Sequence, residues 1–537
     1  MVLNQLIILL IVQVMLRCDR RDVIAAIDII ISYYNIILYN NMILIILPNQ
    51  LFPFSMIKKI IPSNDIDKVI LIEEPRYFTD FKFHKLKLVY HRASMKKYEN
   101  ELKHIAIKTE YIELDKMHSN FYHQLNKNTT YYFNPIDHDL NKKFNLLLPD
   151  AIKLNNLNYL LTPIEIEKYK NVFYKNNHYS HDLFYKFQRK KLDILIKDDK
   201  PIGNKWSYDT ENRLPLPKNI KINPIPKISP TANKYYNEAK LYVMKHFSEN
   251  YGSIESTIFP IDNKSAIKWL MNFLHKRLNN FGPYEDAVVD SMQSPQSDFL
   301  FHSVLSPMMN IGILPDKQVV DISVKYYNKY KSKIRLESFE GFIRQVIGWR
   351  NYVYSVYILE PTMYNMNYLK HKNKISDNYW LGKTGIKPID SIIDKIVRCS
   401  YAHHIERLMY LGNWFLINRV DPKEVHRIFM EWTIDAYDWV MVPNIMGMSQ
   451  YADGGKMMTR IYFSSSSYID RMSNFKKKSN EDWWKIWDAI YYSFINTHYT
   501  LLTKNYATSR QAAHWNKKTT EEKEQLLKIA KANKIDR

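Results

Sequence analysis

The chain changes its hydrophobic rhythm once along its length, and that change limits the folds open to it. From Met42 to about Pro163, short apolar runs such as Met42–Leu47 and Val69–Ile72 alternate with amphipathic stretches such as Ala93–Lys103. Glu110–Leu114 alternates like a further strand. This alternation predicts a parallel sheet flanked by helices. From about Ala266 onward the apolar residues recur at helical spacing, as in Ala266–Asn279, Phe339–Tyr357, Ile389–Ile417 and Pro422–Trp439. Between the two regimes lies a segment with Pro215, Pro217, Pro224, Pro226 and Pro230, a semi-rigid connector. At 537 residues the chain exceeds one ordinary core. The division read from this pattern is an α/β domain at 42–163, a connector at 164–265, an all-α domain at 266–510 and a basic tail at 511–537.

Residues 1–41 read differently. Leu3–Leu16 is apolar but too short to span a bilayer and has no basic segment before it, and Asp28 interrupts the next apolar run. These residues are expected to be a non-native or disordered hydrophobic leader, with translation starting at Met42 and no membrane partner. Lysine and arginine exceed aspartate and glutamate by 76 to 55, a net charge of +21 that suits a polyanionic partner such as nucleic acid. The same excess accompanies a Lys-, Asn- and Ile-rich composition with only 12 glycines, so charge alone decides nothing. Cys18 and Cys399 are the only cysteines, too few for a disulfide framework or a Cys-rich metal site, and a reducing intracellular compartment is expected. No G-x-G-x-x-G follows the first strand, so a conventional dinucleotide site is not predicted.

The chemistry-bearing residues lie mostly in the helical half. Ser303 and Ser306 in His302-Ser-Val-Leu-Ser-Pro307 offer hydroxyls near a helix start, suited to a phosphate. Phe342–Arg350 presents Gln345 and Arg350, and Trp349 as a core residue. Tyr379–Asp390 is followed by Ala402–Met409, where His403, His404 and Arg407 share one helix. Asp435 and Asp438 stand three apart, on one face if helical, ahead of Asn444.

These segments, in this order, resemble the photolyase/cryptochrome family. Tyr379–Asp390 is similar to its W-x-x-G-x-T-G-x-x-P-x-x-D run, His302–Gly312 to its T-S-x-L-S-P-x-L-x-x-G motif, and Asp435–Asn444 to its L-x-D-x-D-x-x-x-N run. Phe342–Arg350 resembles the E-x-x-W-R-E-F helix with one extra residue, and Phe281–Ala287 matches a segment on the approach to the site. The Pro48-Asn-Gln-Leu51 loop, Lys200–Arg213, Gly447–Gly455 and Tyr468–Ser473 are similar to the bacterial iron–sulfur (6-4) group. The resemblance implies a Rossmann-like antenna domain followed by an FAD-binding helical domain. It implies FAD contacts at Tyr284, Ser303, Leu305, Ser306, Gln345, Arg350, Arg407, Asp435, Asp438 and Asn444, with Asn444 at the flavin N5 edge. His404, supported by His403, is the implied proton donor, a role suited to a near-neutral imidazole. Tyr462 and Met448 are implied to line the lesion pocket, and Trp380 is a candidate for electron transfer.

Two departures alter what carries over. The group's cluster cysteines correspond here to Lys476 and Ser479, so no iron–sulfur cluster is expected, nor any other metal. Ile428-Phe429 stands where the family presents an aromatic pair starting with Trp, which breaks the usual photoreduction route. The expected protein is a monomeric, light-driven photolyase that uses reduced FAD to reverse UV pyrimidine dimers in DNA, (6-4) photoproducts preferred. A lumazine-like antenna chromophore is implied with it. The competing reading is a cryptochrome-like blue-light sensor that binds FAD without repair.

Overall fold

A computed structural model describes residues 42–535 apart from 63–64, 118–120, 126–128, 291, 293–296 and 478–480. The expected leader at 1–41 and Ser479 lie outside the described residues. Five parallel strands form the N-terminal sheet in the order β3-β2-β1-β4-β5. They are β1 (Met42–Ile46), β2 (Ile66–Ile72), β3 (Lys108–Ile112), β4 (Thr130–Phe133) and β5 (Ile152–Leu154). Strand β1 is central, with Leu44 paired to Val69 of β2 and to Tyr131 of β4. Burial on both faces explains why it reads as an unbroken apolar run. The chain builds β2 and β3 on one side, then returns to build β4 and β5 on the other, so the strand order reverses between β1 and β4. Gln50 ties this reversal together, its amide donating to the Phe133 carbonyl at 2.9 Å.

The helix Lys85–His104 extends the expected Ala93–Lys103 stretch and packs on Asn233–His246 of the connector. Their contact is anchored by Arg92, which is 4% exposed and donates to Glu73, Glu113 and Glu238. The connector is more ordered than a proline-rich linker suggests. Pro163–Phe173 opens with a Thr162/Glu165 capping box, and His181–Lys191 packs against the helical domain, where the Tyr185 hydroxyl donates to Glu340 at 2.8 Å.

The helical half begins at Asn263–Lys276, capped by Asp262. Two long expected helices are broken by backbone geometry. Ile389–Ile417 divides where Lys387–Cys399 ends at Ser400, whose φ of 55° is left-handed. Pro422–Trp439 stops at Trp432, and a new helix starts at Asp438 after extended Tyr437. The Phe339–Tyr357 stretch is helical throughout but contains a π-helical segment at Arg344–Arg350. A π turn holds more residues than an α turn, which accounts for the extra residue counted in that motif. The tail forms a helix at Thr520–Ala532 with its own Thr519/Glu522 capping box. Among the described residues no helix is long and apolar enough to cross a membrane.

Candidate active site

A cavity of about 1110 Å³ opens in the helical half, beyond the roughly 300–1,000 Å³ typical of small-molecule sites. Three π-helical segments line it: Arg344–Arg350, Glu406–Gly412 and Pro443–Ser449. Insertions of this kind concentrate at functional sites. The segments pack closely. A Cβ on Gly412 would lie 2.7 Å from the Arg407 carbonyl oxygen and 3.0 Å from Ser449 Cβ, so only glycine fits there.

One wall is built by the loop before Ser306–Asn310. Val304 is buried at φ 54°, an unfavourable conformation for a β-branched residue that marks this loop as held in place by its surroundings. Ser306 Oγ donates to Asp435 Oδ2 at 2.5 Å, and Arg407 Nη2 donates to Asp435 Oδ1 at 2.8 Å. Asp435 thereby joins the serine loop to the histidine helix. Arg350 donates through Nε to Asp316 at 2.6 Å and through Nη1 to Asn310, while its Nη2 is buried with no partner. Its guanidinium stacks 4.7 Å from the centre of the Trp439 ring. The Asn444 amide is oriented by Trp349, which donates to Oδ1 at 3.2 Å, and by its own donation to the Val440 carbonyl.

The opposite wall carries the histidines. Ser400, Tyr401 and Ala402 lead out of Lys387–Cys399, and Glu406 accepts from the His403 amide at 2.9 Å. Beneath them Lys395 and Glu406 form an ion pair, 1% and 3% exposed. His302 and His403 stack at 4.3 Å with planes 15° apart, and His302 Nε2 and His403 Nδ1 are both buried without partners. Burial, with the charge of Lys395 nearby, holds both imidazoles well below their usual pKa. Nearly half of the His404 side chain is open, but the opening faces the cavity rather than bulk solvent. Desolvation therefore dominates and, with Arg344 and Arg407, lowers its pKa to about 4. The near-neutral imidazole expected of His404 is not what this wall provides. The groups that titrate near neutrality are Glu285 and Asp286, which lie 3.9 and 4.0 Å from His404 Nε2. Burial pushes them up to about 7 and about 6.

His302, His403 and His404 bring ring nitrogens within 4.8 Å of one another, a set that could hold a metal ion. Two features weigh against it. The first two rings lie face to face rather than converging on a common point, and Arg277, Lys395 and Arg407 already crowd the site with positive charge.

Of the residues expected from the sequence, Ser303, Leu305, Ser306, Gln345, Arg350, His403, His404, Arg407, Asp435, Asn444, Met448 and Tyr462 all line this cavity. Three do not. Asp438 begins a helix of its own and turns away to Arg76 and His426 at the contact with the α/β domain, so its spacing from Asp435 does not give a shared face. Tyr284 packs 5.8 Å from Phe301, outside the lining. Trp380 packs edge-on with Trp432 at 5.4 Å, and ring contacts run on from Trp432 through Phe415 to Phe429, which lines the cavity. The conspicuous Tyr379–Asp390 run is itself architectural, since Asp390 accepts from Thr384 N, Thr384 Oγ1 and Gly385 N at 2.7–3.0 Å. Sequence reasoning passed over Glu285, Asp286 and Arg344. The first two are neighbours of Tyr284 in a motif already singled out, and the third adjoins Gln345. Asp209, Asn212 and Arg213 of the connector also reach the cavity.

The structure joins a parallel α/β sheet domain to a helical domain that holds a deep cavity. A model of the deoxyribodipyrimidine photo-lyase-related protein family matches residues 44–259. The (6-4) photolyase of Agrobacterium fabrum is 33% identical over 342 residues, covering 62% of this chain and 66% of that protein, slightly under two thirds of its length. Uncharacterized protein R855 of Acanthamoeba polyphaga mimivirus is 43% identical over 91 residues, 17% of this chain and 72% of that one. Among solved structures, a bacterial class III photolyase from Agrobacterium tumefaciens superposes with a TM-score of 0.55 at 13% identity, covering 92% of this chain and 98% of that one. The Synechocystis cryptochrome does so with a TM-score of 0.55 at 14% identity, covering 92% and 99%. The chain is thus similar in sequence to photolyase-related proteins and shares the fold of photolyases and a cryptochrome.

Proposed function

We propose that this protein is a light-driven DNA photolyase that uses reduced FAD to reverse UV pyrimidine dimers, with (6-4) photoproducts preferred. The observation that carries the reading is that one cavity gathers both sets of residues: the Ser306–Asp435–Arg407 chain with Asn444, and the His403–His404 pair with Tyr462 and Met448. FAD fits what the walls offer. Arg350 Nη2 is a buried donor without a partner, as suits a diphosphate, and the volume leaves room for a base beside the flavin. Ser303, Ser306 and Arg350 would hold the phosphates, and Arg407, Asp435 and Asn444 the ring system. When bound and reduced, the flavin supplies a light-driven electron to the lesion.

The protein's own residues do the rest. A dimer extruded from the duplex enters over Met448 and Tyr462. Arg213, Arg460 and Arg471 at the lining supply positive charge for flanking phosphates. His404 is neutral at physiological pH and faces the lesion side as a hydrogen-bonding group, with His403 edge-on to it at 6.1 Å. Glu285 and Asp286, 3.9 and 4.0 Å from His404 Nε2, retain protons into the neutral range and are the acidic groups of this wall. With only Cys18 and Cys399 in the chain, four thiolate ligands are not available, and the protein works without an iron–sulfur cluster. Repair by flavin that is already reduced does not need the aromatic route that Phe415 and Phe429 interrupt, whereas signalling by photoreduction does; this favours repair over the light-sensor reading.

The test is repair of an oligonucleotide carrying one (6-4) lesion by reduced protein under blue light, against a dark control. Light-dependent restoration is expected, and loss of it in His404→Ala with FAD content unchanged. FAD-loaded protein inert on both (6-4) and cyclobutane substrates would transfer it to the sensor class.

A further inference from the structure

In open parallel sheets, ligands bind outside the carboxyl ends of the strands, where the strand order reverses. Here that place lies between β1 and β4. The Asn49 loop follows β1, Asp137 follows β4, and Arg76 and Tyr77 come in after β2. The helical domain closes it from outside with Tyr437, Asp438 and Trp439. If this chain carried a light-harvesting chromophore beside its flavin, this is the site its topology would provide.

The crevice is full. Its free space is about 10 Å³, room for at most one water against the roughly 300 Å³ at the lower limit of ordinary ligand sites. The filling is specific. Arg76 donates through Nε and Nη2 to Asp137 at 2.9 and 2.7 Å, through Nη1 to Asp80 at 2.7 Å, and through Nη2 to Asp438 of the helical domain. Asp438 is also 2.8 Å from His426 Nε2. On the other side, fully buried Lys87 donates to the Ala436 carbonyl at 2.5 Å and lies over the rings of Phe83 and Tyr437 at 4.4 and 5.0 Å. Tyr77, His91 and Tyr437 contact one another at 5.9–6.1 Å. A ring system entering here would have to separate Arg76 from Asp137 and Asp438, leaving the buried Asp137 carboxylate without its cation and Asp438 with His426 alone, which opposes binding.

We infer that the crevice at the strand-order reversal takes no second chromophore in this chain, being closed by an Arg76-centred ion cluster that joins the two domains. Light capture then falls to the flavin cavity alone. This departs from the lumazine-like antenna that the family resemblance implies. It rests on the flavin reading only for where light is absorbed.

Two measurements on the full-length protein test it. Small molecules released by denaturing the purified holoprotein are separated by chromatography and identified by absorbance; FAD alone is expected, and a second blue-absorbing compound stoichiometric with protein overturns the inference. The wild-type protein is also titrated with a ribityl-lumazine, followed by fluorescence anisotropy. No saturable binding is expected, and gain of saturable binding in Arg76→Ala would identify the guanidinium as the plug. Saturable one-to-one binding by the wild type overturns the inference whether or not the variant folds. Absence of FAD from the holoprotein would instead refute the proposed function, leaving the titration to decide this point.

Discussion

Replacing Lys395 by methionine probes the foundation of the histidine wall. Lys395 is 1% exposed and pairs with Glu406, which is 3% exposed, while also donating to the Asp298 carbonyl at 3.0 Å. Methionine preserves most of the volume, so the principal loss is charge. Glu406 would keep the His403 amide at 2.9 Å as its hydrogen-bond donor, and the Asp298 carbonyl would lose its lysine. Removing one member of a buried pair costs about 3–5 kcal/mol, at least roughly a hundredfold in the folding equilibrium. Removing both is far milder, because no charge is left stranded. In the wild type, burial already raises the Glu406 pKa and Lys395 pulls it down, so the variant's carboxyl moves further up. A carboxyl raised in the folded state costs stability as pH climbs above its unfolded value and stops costing once both states are protonated. The deficit of Lys395→Met should therefore be largest at neutral pH and shrink toward pH about 5. Urea unfolding followed by far-UV circular dichroism, at both pH values, reads this for the single variant and for Lys395→Met/Glu406→Leu. A single variant within about 1 kcal/mol of wild type at neutral pH, or a double variant no better than the single, would refute the reasoning.

Further outcomes follow from the same geometry. Asp435→Asn removes the charge that joins Ser306 to Arg407 and should lower flavin content in equilibrium dialysis, with a stability loss of about 2 kcal/mol. The (6-4) repair rate should decline as pH rises through about 6 to about 7, where Asp286 and Glu285 lose their protons, and Glu285→Gln should flatten the upper part of that profile. Gly412→Ala places a Cβ 2.7 Å from the Arg407 carbonyl oxygen and should cost about 1–3 kcal/mol by thermal or urea melting. Phe429→Trp puts an oxidisable ring on the cavity wall, on the line through Phe415 to Trp432 and Trp380, and should accelerate photoreduction of bound flavin in stopped illumination.

The parts of this molecule legible in the sequence were those governed by local rules. Strands β1 and β2 announced themselves as apolar runs because both faces of the sheet are covered, and the helical stretch read from Pro422 begins there in the structure. Ser306, Arg407 and Asp435 were found as separate motifs, and their joining through one carboxylate is a tertiary fact that no spacing displays. Asp438 was misplaced because a three-residue spacing predicts a shared face only inside one helix, and extended Tyr437 interrupts it. The left-handed Ser400 is similarly invisible, since its hydroxyl is held by the Trp432 carbonyl from another element. Trp380 attracted attention through its motif, but that motif serves the Asp390 turn. The titration of His404 is not legible in its motif, because an imidazole's pKa follows its burial and the charges around it, here Arg344 and Arg407 from two different helices.

The three π-helical segments have a consequence for how such a cavity can vary. In an α-helix one inserted residue turns everything after it by about 100°, which would swing a packed face out of its core. Where the wide turn absorbs the added residue, the flanking helices keep their phase, and only the side chains within the bulge are redirected. At Arg344–Arg350, Glu406–Gly412 and Pro443–Ser449 that bulge is the cavity wall itself. The lining can therefore be altered by changes in chain length, a residue gained or lost, while the surrounding bundle stays in register.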